Sequence, residues 1–169
     1  MEKRMEKRDL MHTIQTACTI GVELISPTLL CDSIGSIGLK EPCTVAPSTS
    51  LQECIETMRT RRIGSILILD PSGKVIGIFT ERDCLMKVAG KISDLSTPVS
   101  DYMTPHPVCE RPDASIAFAI NLMSNGGFRH IPIVDQDNMP IGIVSIKDMV
   151  DHIVKKMLKA INEAVDDVP

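Results

Sequence analysis

A mixed α/β (α+β) fold built from two βαββα half-domains, packed about a pseudo-twofold axis and preceded by an extra N-terminal helix, is what the sequence predicts. Three observations carry that prediction. The segment IGSILILDPSGKVIGIFTERD, residues 63–83, is matched 65 residues later and without a gap by FRHIPIVDQDNMPIGIVSIKD, residues 128–148. Over residues 42–83 and 107–148 the copies share 12 of 42 positions, among them Pro47/Pro112, Met58/Met123, Asp70/Asp135, Gly77/Gly142 and Asp83/Asp148. Within each copy the apolar spacing changes from a helical period to continuous runs separated by turn residues. The interval is too long for a solenoid unit and two copies make no array, so one duplicated half-domain is the economical reading.

Residues 1–33 have no counterpart in the repeat and form an N-terminal extension opening with the charged tandem MEKRMEKR. Behind it Leu10, Met11, Ile14, Ala17 and Cys18 fall at helical spacing, which predicts an amphipathic helix that covers the core or a partner subunit. The first repeat spans 34–90. Its opening strand is read at Cys43–Pro47, and Leu51, Cys54, Ile55 and Met58 then mark one face of a helix over 49–60. The runs Ile66–Leu69 and Val75–Phe79 flank Asp70-Pro71-Ser72-Gly73, a hairpin turn, and a helix follows from Thr80. The second repeat, 101–154, copies this order. It has a strand at Val108–Pro112, a helix bearing Ile116, Ala119, Ile120 and Met123, a stop at Gly126-Gly127, a hairpin about Gln136-Asp137-Asn138, and a helix from Ser145. That last helix runs on through Ile153, Met157 and Ile161 into a C-terminal extension, 155–169, whose apolar stripe predicts a homodimer.

Composition narrows the function. Aromatic residues make up 2% of the chain and the net charge is -4, which argues against a stacking platform or a basic surface for nucleic acid. Six cysteines without a C-x-x-C pair, and four scattered histidines, predict neither a disulfide framework nor a metal cage, so a cytoplasmic protein with reduced thiols is expected. The apolar stretch near the start is broken by Glu23 and Pro27, so neither a signal peptide nor a membrane span is read there. No Walker loop, G-x-G-x-x-G, G-x-S-x-G or H-E-x-x-H occurs, and no catalytic residues are assigned.

The chemistry concentrates at the hairpin exits, Gly77-Ile78-Phe79-Thr80-Glu81-Arg82-Asp83 and Gly142-Ile143-Val144-Ser145-Ile146-Lys147-Asp148. Read from the residues, a helix N-terminus offers free N–H groups that favour phosphate. A carboxylate beside it suits neutral hydroxyls such as a ribose diol. The same Thr/Ser-x-x-Asp spacing also reads as a helix capping box, and the residues alone leave both readings open. Here the chain resembles the CBS domain family over about residues 34–154, as a tandem pair.

The resemblance implies a regulatory module without catalysis that binds an adenosine-containing ligand between its halves. Candidates are AMP, ADP, ATP or S-adenosylmethionine, with Mg2+ where a triphosphate brings it and no tightly held cofactor. It implies that Asp83 and Asp148 hold ribose hydroxyls, that Thr80 and Ser145 lie at ribose or phosphate, and that Thr44, Val45 and Val108 flank the base. Arg129, His130, Arg82 and Lys147 are the candidate phosphate contacts. Arg59, Arg61 and Arg62 read either as a solvated helix end or as further phosphate contacts. Upstream, the ungapped register sets Tyr102-Met103-Thr104-Pro105 against Ile37-Gly38-Leu39-Lys40, so the two pockets are expected to differ. The expected partners are the adenosyl ligand, a second copy and an effector protein, with neither nucleic acid nor membrane. A ligand-free interaction scaffold is the alternative.

Overall fold

The computed structural model describes residues 31–166; the helix expected around Leu10–Cys18 lies outside them. From Cys43 onward the chain follows the predicted order. Strand β1 (Thr44–Val45) leads to helix α1 (Leu51–Arg61), then to β2 (Ser65–Leu69), β3 (Val75–Thr80) and a short helix α2 (Glu81–Asp83) that passes into a π turn, Cys84–Val88. The second copy opens with β4 (Thr104–Pro105) and continues through α3 (Ile116–Gly126), β5 (His130–Val134), β6 (Pro140–Ser145) and α4 (Ile146–Asp166). Both long mid-repeat helices start on a serine whose hydroxyl accepts an N–H three residues on, Ser50 from Glu53 and Ser115 from Phe118, each at 3.2 Å.

In the first half, β1 pairs parallel with β2, and β2, β3 and β4 continue antiparallel. The second half repeats the plan with fewer bonds: β5 and β6 form a hairpin, Glu110 bridges Ile133 in parallel, and Lys40 bridges Ile143. The strand expected at 108–112 is thus a single bridge. Its cause is Pro132. At the twin position Leu67 donates its N–H to the Cys43 carbonyl at 2.9 Å, a bond proline cannot make. The two helices that follow the hairpins also differ in length. Gly90, at φ +70°, closes the first in the left-handed conformation, whereas its counterpart Lys155 lets α4 continue.

The segment ahead of each repeat crosses to the other half. Ile34 is fully buried against Ile116, Ile131, Ile133 and Met149, while Val99 is buried against Leu51, Ile66 and Phe79. Both crossings run over a glycine. A Cβ on Gly142 would stand 2.8 Å from Leu39 Cβ, and one on Gly77 would collide with Met103 Sδ. These contacts correct the ungapped register upstream of the strands. Leu39 is the counterpart of Met103 and Lys40 that of Thr104, so the second copy carries one extra residue before Glu110. His106, at φ +47°, lies in that longer connection.

A third apolar cluster joins the halves, with Leu67, Val75 and Ile78 from one and Val134 and Ile143 from the other. At the far end the hairpin turns meet, the Asn138 carbonyl accepting from Val75 N at 3.3 Å and its side-chain amide donating to the Val75 carbonyl at 3.2 Å. With this end tied, the open ends of the hairpins face each other as two clefts.

Candidate functional site

Each cleft takes its carboxylate from one repeat and its opposite wall from the other. The first encloses about 320 Å³ and is lined by Thr80 and Asp83 from the end of β3 and the start of α2, facing Thr104, Val108, Arg129 and His130. The second encloses about 440 Å³ and is lined by Ser145 and Asp148, facing Lys40, Cys43, Arg62 and Ser65. Both volumes fall in the range of small-molecule sites. Gly64, Arg129 and His130 line both clefts and so mark where they adjoin across the pseudo-twofold.

The Thr/Ser-x-x-Asp motif is a complete capping box in both copies. Asp83 Oδ2 accepts from Thr80 N at 2.9 Å and from Thr80 Oγ1 at 2.6 Å, and Asp83 N donates back to that hydroxyl at 3.3 Å. Ser145 and Asp148 repeat these three distances. The cap consumes one carboxylate oxygen and leaves Oδ1, which is treated differently in the two clefts. Asp83 Oδ1 accepts from Thr104 Oγ1 at 3.3 Å and pairs with Lys87 Nζ at 2.8 Å. Lys87 is outside the cleft lining and is anchored by the carbonyls of Tyr102 at 2.9 Å and Met103 at 3.3 Å. Asp148 Oδ1 instead pairs with Lys40, a lining residue whose side chain is 68% exposed. Burial works against ionisation of Asp148, but the Lys40 ammonium and the Ser145 hydroxyl and N–H outweigh it, so the carboxyl sits below the ordinary aspartate range.

The candidate phosphate contacts fall into two groups. Arg82 lines the first cleft and donates to the Gly127 carbonyl on the opposite wall. Lys147 lines the second cleft and pairs with Asp151 one turn along α4. Arg129 is exposed, and among the described residues no hydrogen bond or ion pair holds its guanidinium. His130 is half-buried. Burial, with the neighbouring Arg129 charge, pushes its pKa below the ordinary histidine value, so the ring is neutral at pH 7. Of the three arginines ending α1, Arg59 pairs with Glu56 at 2.8 Å, Arg61 lies against Cys43 Sγ at 3.7 Å, and Arg62 lines the second cleft.

Val108 lines the first cleft beside Ile78 and Pro107, an apolar wall suited to a flat heterocycle. Thr44 and Val45 line neither cleft; their neighbour Cys43 occupies the corresponding wall of the second. Sequence reasoning missed Lys40, Thr104, Cys43 and His106. Lys40 and Thr104 were hidden by the one-residue offset, and the available signal was the pair of hairpin glycines, Gly77 and Gly142, each of which requires a chain crossing close above it. Among the described residues no group of three or more His, Cys, Asp or Glu side chains is placed to hold a metal ion, and no helix is long and apolar enough to cross a membrane.

A profile of the CBS domain matches residues 34–90 and again 99–155, more than half of the chain. A CBS domain-containing protein of Bacillus subtilis, YhcV, is 34% identical over 106 residues, covering 63% of this chain and 74% of its own. Among solved structures, a CBS-domain containing protein of Agrobacterium tumefaciens superposes with TM-score 0.65 at 32% identity, over 71% of this chain and 98% of that one. A CBS domain protein of Pyrobaculum aerophilum, solved as a complex with AMP, superposes with TM-score 0.67 over 76% of this chain and 99% of that one; at 18% identity the likeness is one of fold.

Proposed function

This chain belongs to the CBS domain family as a tandem pair, and from that premise we propose that it is a non-catalytic regulatory module that binds an adenosine-containing ligand between its repeats and reports occupancy to a partner protein. The observation that carries the reading is the division of labour within each aspartate. Oδ2 closes the helix cap, while Oδ1 of Asp83 meets the Thr104 hydroxyl at the cleft wall and the Lys87 ammonium from outside the lining. A carboxylate oxygen held in this way takes hydroxyl donors, and a ribose diol supplies two. Hydrogen bonds to a charged acceptor contribute roughly 1.5 to 3 kcal/mol each, so an Asp→Ala change is expected to weaken binding about tenfold to a hundredfold. Val108, Ile78 and Pro107 support a base beside the ribose, and Arg129 and His130 support a phosphate on the other side.

Signalling follows from the position of the clefts. A ligand that touches both repeats stabilises the relative arrangement it fits best, by no more than its differential affinity for that arrangement. A second copy is proposed on the face that carries the exposed Leu85, Met86, Val150 and Val154, where Leu85 and Val150 are twin positions. Sedimentation of wild type and Leu85→Glu tests it, with a shift to monomer in the variant as the expected result.

The completeness of both capping boxes favours one second reading, a ligand-free scaffold in which the motif serves only the fold. Thermal unfolding with millimolar AMP, ATP or S-adenosylmethionine separates the two. Native-state binding at a hundredfold excess over Kd adds about 2.7 kcal/mol of stability. A ligand-specific rise in Tm that Asp83→Ala or Asp148→Ala abolishes is the expected result. No rise with any ligand, with both variants merely lowering Tm in its absence, would leave the scaffold reading.

A further inference from the structure

Lys40 stands where the twin cleft has Thr104, and Lys87 stands where the second copy has His152, which turns to Asp32, so the two carboxylates meet different cations. Thr104 presents a hydroxyl 3.3 Å from Asp83 Oδ1 and leaves the charge of that carboxylate to Lys87, which is held outside the cleft by two carbonyls. Lys40 reaches across from the other repeat and puts an ammonium on Asp148 Oδ1 from inside the second cleft. Its backbone is fixed, since the Lys40 carbonyl accepts from Ile143 N at 3.0 Å, while its exposed head is free to exchange one anion for another.

A second asymmetry lies on the same wall. Arg62 ends α1 in the left-handed conformation, at φ +53°, where the twin helix uses Gly127 at φ +66°. Arginine is disfavoured there, and such positions are enriched at functional sites. Arg62 lines the second cleft, and among the described residues no ion pair or hydrogen bond occupies its guanidinium. Glu41 and Glu81 line the same cleft, so it is no general anion trap. An anion is rewarded there at the places Lys40, Arg62, Arg129 and Lys147 can reach.

We infer that Lys40 is a latch that makes the second cleft phosphate-dependent: it admits adenosine ligands carrying phosphate and disfavours those without it, whereas the first cleft does not discriminate in this way. The inference rests on the adenosine-ligand reading and adds to it an assignment of ligand class to each cleft. A phosphate-free nucleoside entering the second cleft competes with Lys40 for Asp148 Oδ1 and offers the ammonium no partner in exchange. A nucleotide offers its own phosphate to Lys40 as it takes Asp148. For an exposed pair the displacement is worth up to about fivefold in affinity, and a new charge-assisted contact to phosphate about tenfold.

The test is isothermal titration of the full chain with adenosine and with ATP, for wild type, Lys40→Thr and Thr104→Lys, each first shown to keep the wild-type Tm within a few degrees. In wild type, ATP is expected to fill two sites and adenosine one strong site. Lys40→Thr is expected to tighten adenosine about fivefold at the weak site and to weaken ATP about tenfold at one of its two. Thr104→Lys, which installs the latch in the first cleft, is expected to weaken adenosine at the strong site. Unchanged affinities and stoichiometries for both ligands in both variants would overturn the inference while leaving the adenosine-ligand reading standing. Absence of binding by either ligand to any of the three proteins would overturn that reading and the inference with it.

Discussion

In the first cleft the free oxygen of Asp83 meets the Thr104 hydroxyl, with Lys87 behind it; in the second the same oxygen of Asp148 meets Lys40 from within the cleft. The capping halves of the two motifs agree to the tenth of an ångström, so the difference does not come from the motif. It comes from the segment that crosses over from the other repeat, which differs between the copies by one residue in length, and from the position four residues after each aspartate, Lys87 in one copy and His152, turned to Asp32 at 3.0 Å, in the other. Duplication has kept what the fold needs, the cap and the hairpin, and has let the completing wall of each cleft diverge. The burial of the carboxylates follows, with the Asp83 side chain 10% exposed and that of Asp148 14%, against 39% and 68% for their lysine partners.

The largest effect expected from breaking the twofold likeness lies in the cores. Phe79 is fully buried where its twin is Val144. Phe79→Ala should cost about 3–5 kcal/mol, and Val144→Ala less because it opens a smaller cavity, as read by urea denaturation of each variant. Equal losses would mean that the halves share one core and that the comparison between them has no energetic content. Next come the aspartates. Each Ala variant forfeits the carboxylate half of a capping box, worth about 0.5–2 kcal/mol, and keeps the N-cap hydroxyl bond. Asp83→Ala should cost more than Asp148→Ala, because it also strips a part-buried lysine of its carboxylate, whereas Lys40 is already exposed to water. Thermal melts without ligand give the order.

The crossing points are expected to rank below these. Gly142→Ala presses on Leu39 Cβ, an atom fixed by its backbone, while Gly77→Ala meets the flexible end of Met103. Overpacking of this kind costs about 1–3 kcal/mol, and the Gly142 variant should lose more. The smallest effects are those of pH. The folded pKa of Asp148 is depressed, so the stability it contributes is present above the unfolded value of about 3.9 and is lost as pH falls through the folded one. Lys40→Thr removes a main cause, and carboxyl NMR titration should find the Asp148 pKa moved up towards the ordinary value. His130 is held neutral by burial and by Arg129, and a bound phosphate favours its protonated form. Nucleotide affinity should therefore rise as pH falls towards the depressed His130 pKa, and adenosine affinity should not. A parallel rise for both ligands would remove His130 from the phosphate site.

Much of this was legible in the chain. The hairpins at Asp70–Gly73 and about Gln136-Asp137-Asn138 and the helices bearing Met58 and Met123 were visible because their signals are local: turn residues and a 3.6-residue apolar period. Asp83 and Asp148 were legible because the repeat prints them twice. Lys40 and Thr104 were not, since their role depends on which chain passes over Gly77 and Gly142, a tertiary fact that an ungapped register displaces by one residue. Thr44 and Val45 were expected at a base pocket and are not among the residues lining either cleft. Strand β1 turns its Cys43 end to the cleft, and nothing in the alternation of so short a strand says which residue is last inside.

The most direct test of the central account is a titration of methyl-labelled protein with AMP, followed by NMR at Ile78 and Val108 in the first cleft and Ile63 and Ile143 in the second. The account predicts saturable shifts at Ile78 and Val108 that Asp83→Ala abolishes, and separate shifts at Ile63 and Ile143 that Asp148→Ala abolishes. Shifts absent from all four methyls at millimolar AMP, or present and unaffected by either substitution, would contradict it.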